Sequence, residues 1–93
     1  MACIVLSKAK NYFLGEVESR GWCLDLNGND QNSGVESIGS ASSKLDCWSQ
    51  CKAIPRAKGC EYIKQAKRCD IHTNDVSRGG GDKLFDFDCL VLY

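Results

Sequence analysis

Apolar residues in this chain come in short runs, and the spacing inside each run predicts its element. Residues 4–17 set Ile4, Val5, Leu6, Tyr12, Phe13, Leu14 and Val17 among polar neighbours, a pattern of one or two strands. Gly21-Trp22-Cys23-Leu24-Asp25-Leu26 alternates apolar and polar positions, as a short half-buried strand does. The next eight residues, Asn27 to Gly34, tolerate left-handed backbone and cap their own turns, so they predict a loop. Val35 and Ile38 open another strand.

One segment carries helical periodicity. Leu45, Trp48, Cys51 and Ile54 recur every three residues with Cys47 beside them, giving one apolar stripe over about residues 43–53. Ser42 or Ser43 serves as N-cap, and Asp46 stands three after Ser43, close to a capping box. Pro55 ends the helix, because proline disfavours helical backbone at the residue before it. Gly59-Cys60-Glu61-Tyr62-Ile63 and Cys69-Asp70-Ile71-His72-Thr73 read as an antiparallel hairpin turning through Gln65 to Arg68. Arg78-Gly79-Gly80-Gly81-Asp82 reads as a flexible loop. Phe85 to Tyr93 begins with alternation and ends as a continuous apolar run, which fits a central strand.

Length and cysteine content change this picture. A chain of 93 residues makes one domain with a thin core, because a chain this short buries only about two thirds of the surface its unfolded form exposes. Seven cysteines then supply the missing stabilisation as disulfides. Zinc is the competing use, but it favours two short Cys/His pairs. Here the only close pair is Cys47-x3-Cys51 and the lone histidine is His72. An odd count leaves one cysteine over, and Cys3, far from the other six, is the expected orphan: an exposed thiol or, preferred, a disulfide-linked Cys3–Cys3 homodimer. Twelve basic and twelve acidic residues balance, which argues against a nucleic-acid partner. No apolar run approaches the ~20 residues of a membrane span. Ile4-Val5-Leu6 is too short for a signal-peptide core, so an extracellular, secreted protein would have its signal outside this chain.

Cys47 and Cys51, four apart on the helix, point from one face. The simplest staple joins them to the hairpin carrying Cys60 and Cys69, with a longer bridge from Cys23 to Cys89. Six cysteines nevertheless allow fifteen pairings. Cys23-Leu24-Asp25, the helical Cys47-x3-Cys51, Gly59-Cys60-Glu61-Tyr62, Cys69-x2-His72-Thr73, the glycine-rich loop and Cys89 together resemble the PAN/apple domain over about residues 20–93. The resemblance implies an α+β fold, with one α-helix packed on an antiparallel β-sheet and stapled by Cys47–Cys69, Cys51–Cys60 and Cys23–Cys89. It implies a protein- or carbohydrate-binding module. Residues 1–19 form an N-terminal strand segment of the same domain without a counterpart in the family.

Catalysis finds little support. His72 is the only histidine, no Gly-x-Ser-x-Gly elbow occurs, and His72 reads as a sheet residue bonded locally. Asp25, Asn27, Asn29 and Glu36 fall at positions 1, 3, 5 and 12 of a calcium loop, but Asp30 stands where glycine makes the sharp turn, so an ordinary polar loop is preferred. Asp82, Asp86 and Asp88 form an acidic C-terminal edge, with Asp86 and Asp88 on one solvated strand face. Charge is unevenly spread: residues 52–68 hold Lys52, Arg56, Lys58, Lys64, Lys67 and Arg68 against Glu61 alone. A solvated face is the plain explanation. The sharper one is a ridge for an anionic glycan or an acidic extracellular protein, carried by Lys64, Lys67 and Arg68 with Arg56 and Lys58, and with Tyr62 or Trp22 as a stacking platform. The expected function is therefore an extracellular, non-catalytic recognition or adhesion module with no cofactor and no metal. The alternatives are a small secreted inhibitor or toxin-like effector, and an unrecognised hydrolase.

Overall fold

The computed structural model describes residues 15–30 and 33–93. The elements run β1 (Glu16–Arg20), β2 (Trp22–Leu24), β3 (Val35–Ser40), α1 (Lys44–Lys52), β4 (Gly59–Ile63), β5 (Arg68–His72), β6 (Arg78–Gly80) and β7 (Phe87–Leu92). Five strands form one antiparallel sheet in the order β1-β7-β4-β5-β3, and β2 with β6 forms a separate ribbon. The strands expected over 4–17 and the orphan Cys3 lie outside the described residues, except that β1 begins at Glu16.

Strand alternation sorts the sheet into two faces. Cys60 and Tyr62 of β4, Cys69 and Ile71 of β5 and Leu90 of β7 join Cys47, Trp48 and Cys51 in the core between sheet and helix. The neighbours of opposite parity face the ribbon, where Cys23, Val76, Cys89 and Val91 make a second, smaller core. Helix α1 starts where Ser43 Oγ accepts the Asp46 N–H at 3.1 Å, and Asp46 Oδ2 accepts from the N–H and hydroxyl of Ser42. Both serines thus take part in the cap, and the Ser42 N–H holds the Asp46 carboxyl below its ordinary value.

All six cysteines of the described residues pair, as Cys23–Cys89, Cys47–Cys69 and Cys51–Cys60, the set that the PAN/apple resemblance implies. Two bridges hold the helix to the sheet, and the third holds the ribbon to its other face. Because these pairs are internal, no disulfide-linked dimer is indicated for them.

Four expectations need correction. Leu45 does not belong to the buried stripe, being 73% exposed; the disulfides turn Cys47, Trp48 and Cys51 inward instead. Residues 78–80 are a strand, not a loop. A Cβ on Gly79 would lie 2.4 Å from Ser19 Oγ and 2.6 Å from Arg20 O, so glycine is what lets β6 press against β1. β7 starts at Phe87, leaving Phe85 exposed outside it. Asp86 and Asp88 do not share a solvated face, since Asp88 is buried within reach of the Lys44 and Lys64 ammonium groups.

The edge strand β1 is tied to the helix by charge. Lys44 pairs with Glu18, Lys52 pairs with Glu16 at 3.0 Å, and Trp48 Nε1–H donates to Glu18 Oε1 at 2.9 Å. Bonds from Lys44 first, and then from Trp48, hold the Glu18 carboxyl below its ordinary 4.5, while Glu18 raises Lys44.

Two expectations follow. Closing loops with separations of 66, 22 and 9 residues is worth roughly 4.4, 3.4 and 2.6 kcal/mol in the chain-entropy model. Paired Cys→Ala variants therefore lower the denaturation midpoint most for Cys23–Cys89 and least for Cys51–Cys60, as urea titration would show; the reverse order would overturn this ranking. Because the folded Glu18 pKa is depressed, its contribution is complete above about pH 4.5 and is lost as pH falls through the folded value. Glu18→Gln should lose at most about 1 kcal/mol at neutral pH, given its solvent screening, and the gap to wild type should be smaller at a pH well below the ordinary 4.5. Parallel melting curves at both pH values check this.

Candidate functional site

The expected basic ridge is largely self-neutralised. Arg56 Nη2 lies 2.6 Å from Glu36, Lys58 Nζ 3.0 Å from Asp75, Lys64 Nζ 3.4 Å from Asp88 and Arg68 Nε 3.2 Å from Asp70. Arg56 and Glu36 perturb each other, the carboxyl downward and the guanidinium upward, through the hydrogen bonds between them. Of the five residues assigned to the ridge, only Lys67 forms no ion pair with a described residue. It sits exposed in the β4–β5 turn, with left-handed backbone at φ 50. The acids come from β3, β5, β7 and the 73–77 loop; Asp70 stands two residues from Arg68 on the same strand, but Glu36, Asp75 and Asp88 are remote in sequence from their cations, so the summed charge of residues 52–68 concealed the pairing.

The other candidates also separate. Asp25 Oδ1 accepts the N–H groups of Asn27 and Asn29 at 2.8 and 3.0 Å, an Asx turn, while Glu36 is engaged with Arg56 on β3. The calcium-loop set is therefore not brought together. Tyr62 is a core residue whose hydroxyl donates to Ala41 O at 3.3 Å, and Trp22 is half-buried, edge-on to Phe87 at 5.9 Å. His72 is buried with Nε2 3.2 Å from Glu61 Oε1, eleven residues away, so its partner is a cross-strand neighbour rather than a local one.

What the fold does assemble is a cleft of about 630 Å³ where the helix C-terminus, the 73–77 loop and the end of β7 meet. Ile54, Ala57, Val76 and Leu92 supply an apolar floor, and Tyr93 and Leu26, 57% and 80% exposed, stand at its rim with the Lys58–Asp75 pair. The position follows from local structure. Pro55 stops the helix, the chain turns through 54–57, and the Lys58 N–H and C=O bond to His72 O and Leu92 N, fixing the turn against both flanking strands. Beyond Leu26 and Asp75 lies a more open hollow lined by Asp25, Asn27, Asn29, Asp30, Ser33 and Asn74. One surface thus offers an apolar slot and, beside it, a cluster of amide, hydroxyl and carboxylate groups. That combination suits a ligand with an apolar body and several hydrogen-bonding groups. The sequence signal was faint: Val76 and Leu26 are apolar residues in or beside polar segments, and Tyr93 reads simply as the end of the apolar C-terminal run.

No protein-family model, no curated protein and no solved structure matches this chain, so the PAN/apple resemblance rests on the residues that carry it.

Because a paired cation contributes little to an incoming anion, Lys67→Ala should reduce retention on a heparin column at low salt more than Arg56→Ala or Lys58→Ala. Equal reductions for all three would show that the internal pairs exchange freely for the ligand.

Proposed function

We propose that this chain is an extracellular, non-catalytic recognition module of PAN/apple type that binds carbohydrate or protein in the cleft between the helix C-terminus and the 73–77 loop. The observation that carries the proposal is the apolar slot beside a polar hollow on one stapled surface. Three disulfides suit an oxidising, extracellular setting, and no helix among the described residues is long and apolar enough to cross a membrane. The burial of His72 against Glu61, away from both hollows, supports binding without turnover. The cleft belongs to a scaffold already ordered by cross-links, so docking there sacrifices little conformational freedom. The Lys67 turn is a secondary contact for an anionic glycan, sensitive to salt over the ~8 Å screening length of physiological buffer.

The test is an array of glycans and extracellular proteins probed at low and physiological salt with wild type, Lys67→Ala and a Leu26→Asp/Tyr93→Ala cleft variant. Both cleft positions are exposed, so circular dichroism should be unchanged. Binding should survive added salt and weaken at least tenfold in the cleft variant. Undiminished binding by that variant, or turnover of ester, peptide or glycoside substrates, would sink the proposal.

A further inference from the structure

Behind the central strands lies a group of polar side chains that the cleft does not use. Cys23 on β2, Glu61 on β4 and His72 on β5 bring one ligand atom each within 4.8 Å of one another, all buried. Glu61 Oε1 accepts the Cys23 N–H at 2.9 Å and lies 3.2 Å from His72 Nε2. Cys89 on β7 belongs to the same node, because its sulfur is bonded to that of Cys23. Three separate elements therefore bring a sulfur, an imidazole and a carboxylate together, and a fourth, β7, carries the sulfur bonded to Cys23. While the disulfide is closed, neither sulfur is a thiolate, and only thiolates bind metal strongly.

We propose that opening the Cys23–Cys89 bridge converts this node into a site for zinc or a similar divalent cation, ligated by Cys23, Cys89, Glu61 and His72. The geometry suits a tetrahedral ion. With Zn–N and Zn–O near 2.0–2.1 Å, tetrahedral ligands stand about 3.3 Å apart, close to the observed Glu61–His72 spacing. With Zn–S near 2.3 Å, the two sulfurs need to lie about 3.8 Å apart, a separation that released thiols on Cα atoms 5.2 Å apart can adopt. Asp70, directly opposite Glu61 on β5, is engaged by Arg68. The helix-side bridges Cys47–Cys69 and Cys51–Cys60 emerge on the other face of the sheet, so opening the ribbon bridge leaves the main core cross-linked.

The chemistry balances with a phosphine as reductant. Phosphine, water and the disulfide give phosphine oxide and two thiols, the phosphorus losing the two electrons that break the S–S bond. The divalent cation then displaces both thiol protons to solvent, and His72 and Glu61 donate lone pairs. The oxidised domain keeps the ribbon covalently closed, and the reduced domain would close it again through metal.

The experiment uses the full chain carrying Cys3→Ser, which removes a competing thiol. Mild phosphine treatment opens the ribbon bridge, peptide mapping verifies which bridge is open, and cobalt(II) is added. The expected result is one cobalt per chain with the intense visible absorption of a tetrahedral thiolate site, displaced by zinc, and affinity at least about tenfold weaker in His72→Gln and in Glu61→Gln. A second protein, Cys89→Ala, needs no reductant and retains the two helix bridges. It should bind cobalt more weakly through the three remaining ligands, and lose that binding when His72→Gln is added. Uptake that is absent from both proteins, or unaffected by His72→Gln as in a merely unfolded polythiol, overturns the proposal.

Discussion

Two sulfur bridges four residues apart on one helix face are the constraint on which the rest of this small domain depends. They hold α1 against β4 and β5 and so define which side of the sheet carries the main core. Only a few large apolar side chains fill that core: Trp48, Tyr62, Ile71 and Leu90, with sulfur occupying much of the remaining interior. A domain with so little apolar volume gains stability chiefly by restricting its unfolded chain. Once α1 is placed, its terminus at Ala53 and the turn before β4 are placed as well, and the cleft lies at that turn.

Charge plays a structural part that net neutrality disguises. Glu16 and Glu18 on β1 reach Lys52, Lys44 and Trp48 on the helix, so an edge strand laddered to β7 on one side is also tied to the helix by ion pairs and an indole hydrogen bond. Buried Asp88 is compensated by Lys44 of α1 and Lys64 of the β4–β5 turn. A buried carboxylate without such partners would be strongly destabilising. The same pairing that steadies the sheet withdraws most of the cations from recognition. It shifts the proposed docking surface from a charged ridge to a cleft whose floor is apolar.

The ribbon β2–β6 gives the sheet a second covered face. It approaches β1 and β7 closely because Gly79 carries no side chain, and the Cys23–Cys89 bridge holds it there. Beneath it, Glu61 and His72 are satisfied by each other and by the Cys23 backbone, and no buried side-chain polar atom among the described residues lacks a partner. Strand alternation alone put Glu61 on that face, opposite to Cys60, so the polar node and the helix staple are two consequences of one pleat.

Local and periodic features were legible from the chain itself. Ser43 as N-cap, the helix ending before Pro55, the Cys60/Cys69 hairpin and the central strand near Cys89 all follow from spacing and backbone preference over a few residues. The disulfide scaffold was legible from cysteine density, and its pairing from resemblance. Contacts between distant segments were not legible. The glycines of 78–80 read as flexible because nothing nearby shows that β1 packs against them, and Leu45 read as core because a three-residue period does not say which side the cysteines turn inward. The ridge read as free positive charge because Glu36, Asp70, Asp75 and Asp88 lie outside it in sequence. Ion pairing depends on distance in space: Arg68 meets Asp70 on its own strand, but only the tertiary structure brought Glu36, Asp75 and Asp88 within a few ångströms of their cations.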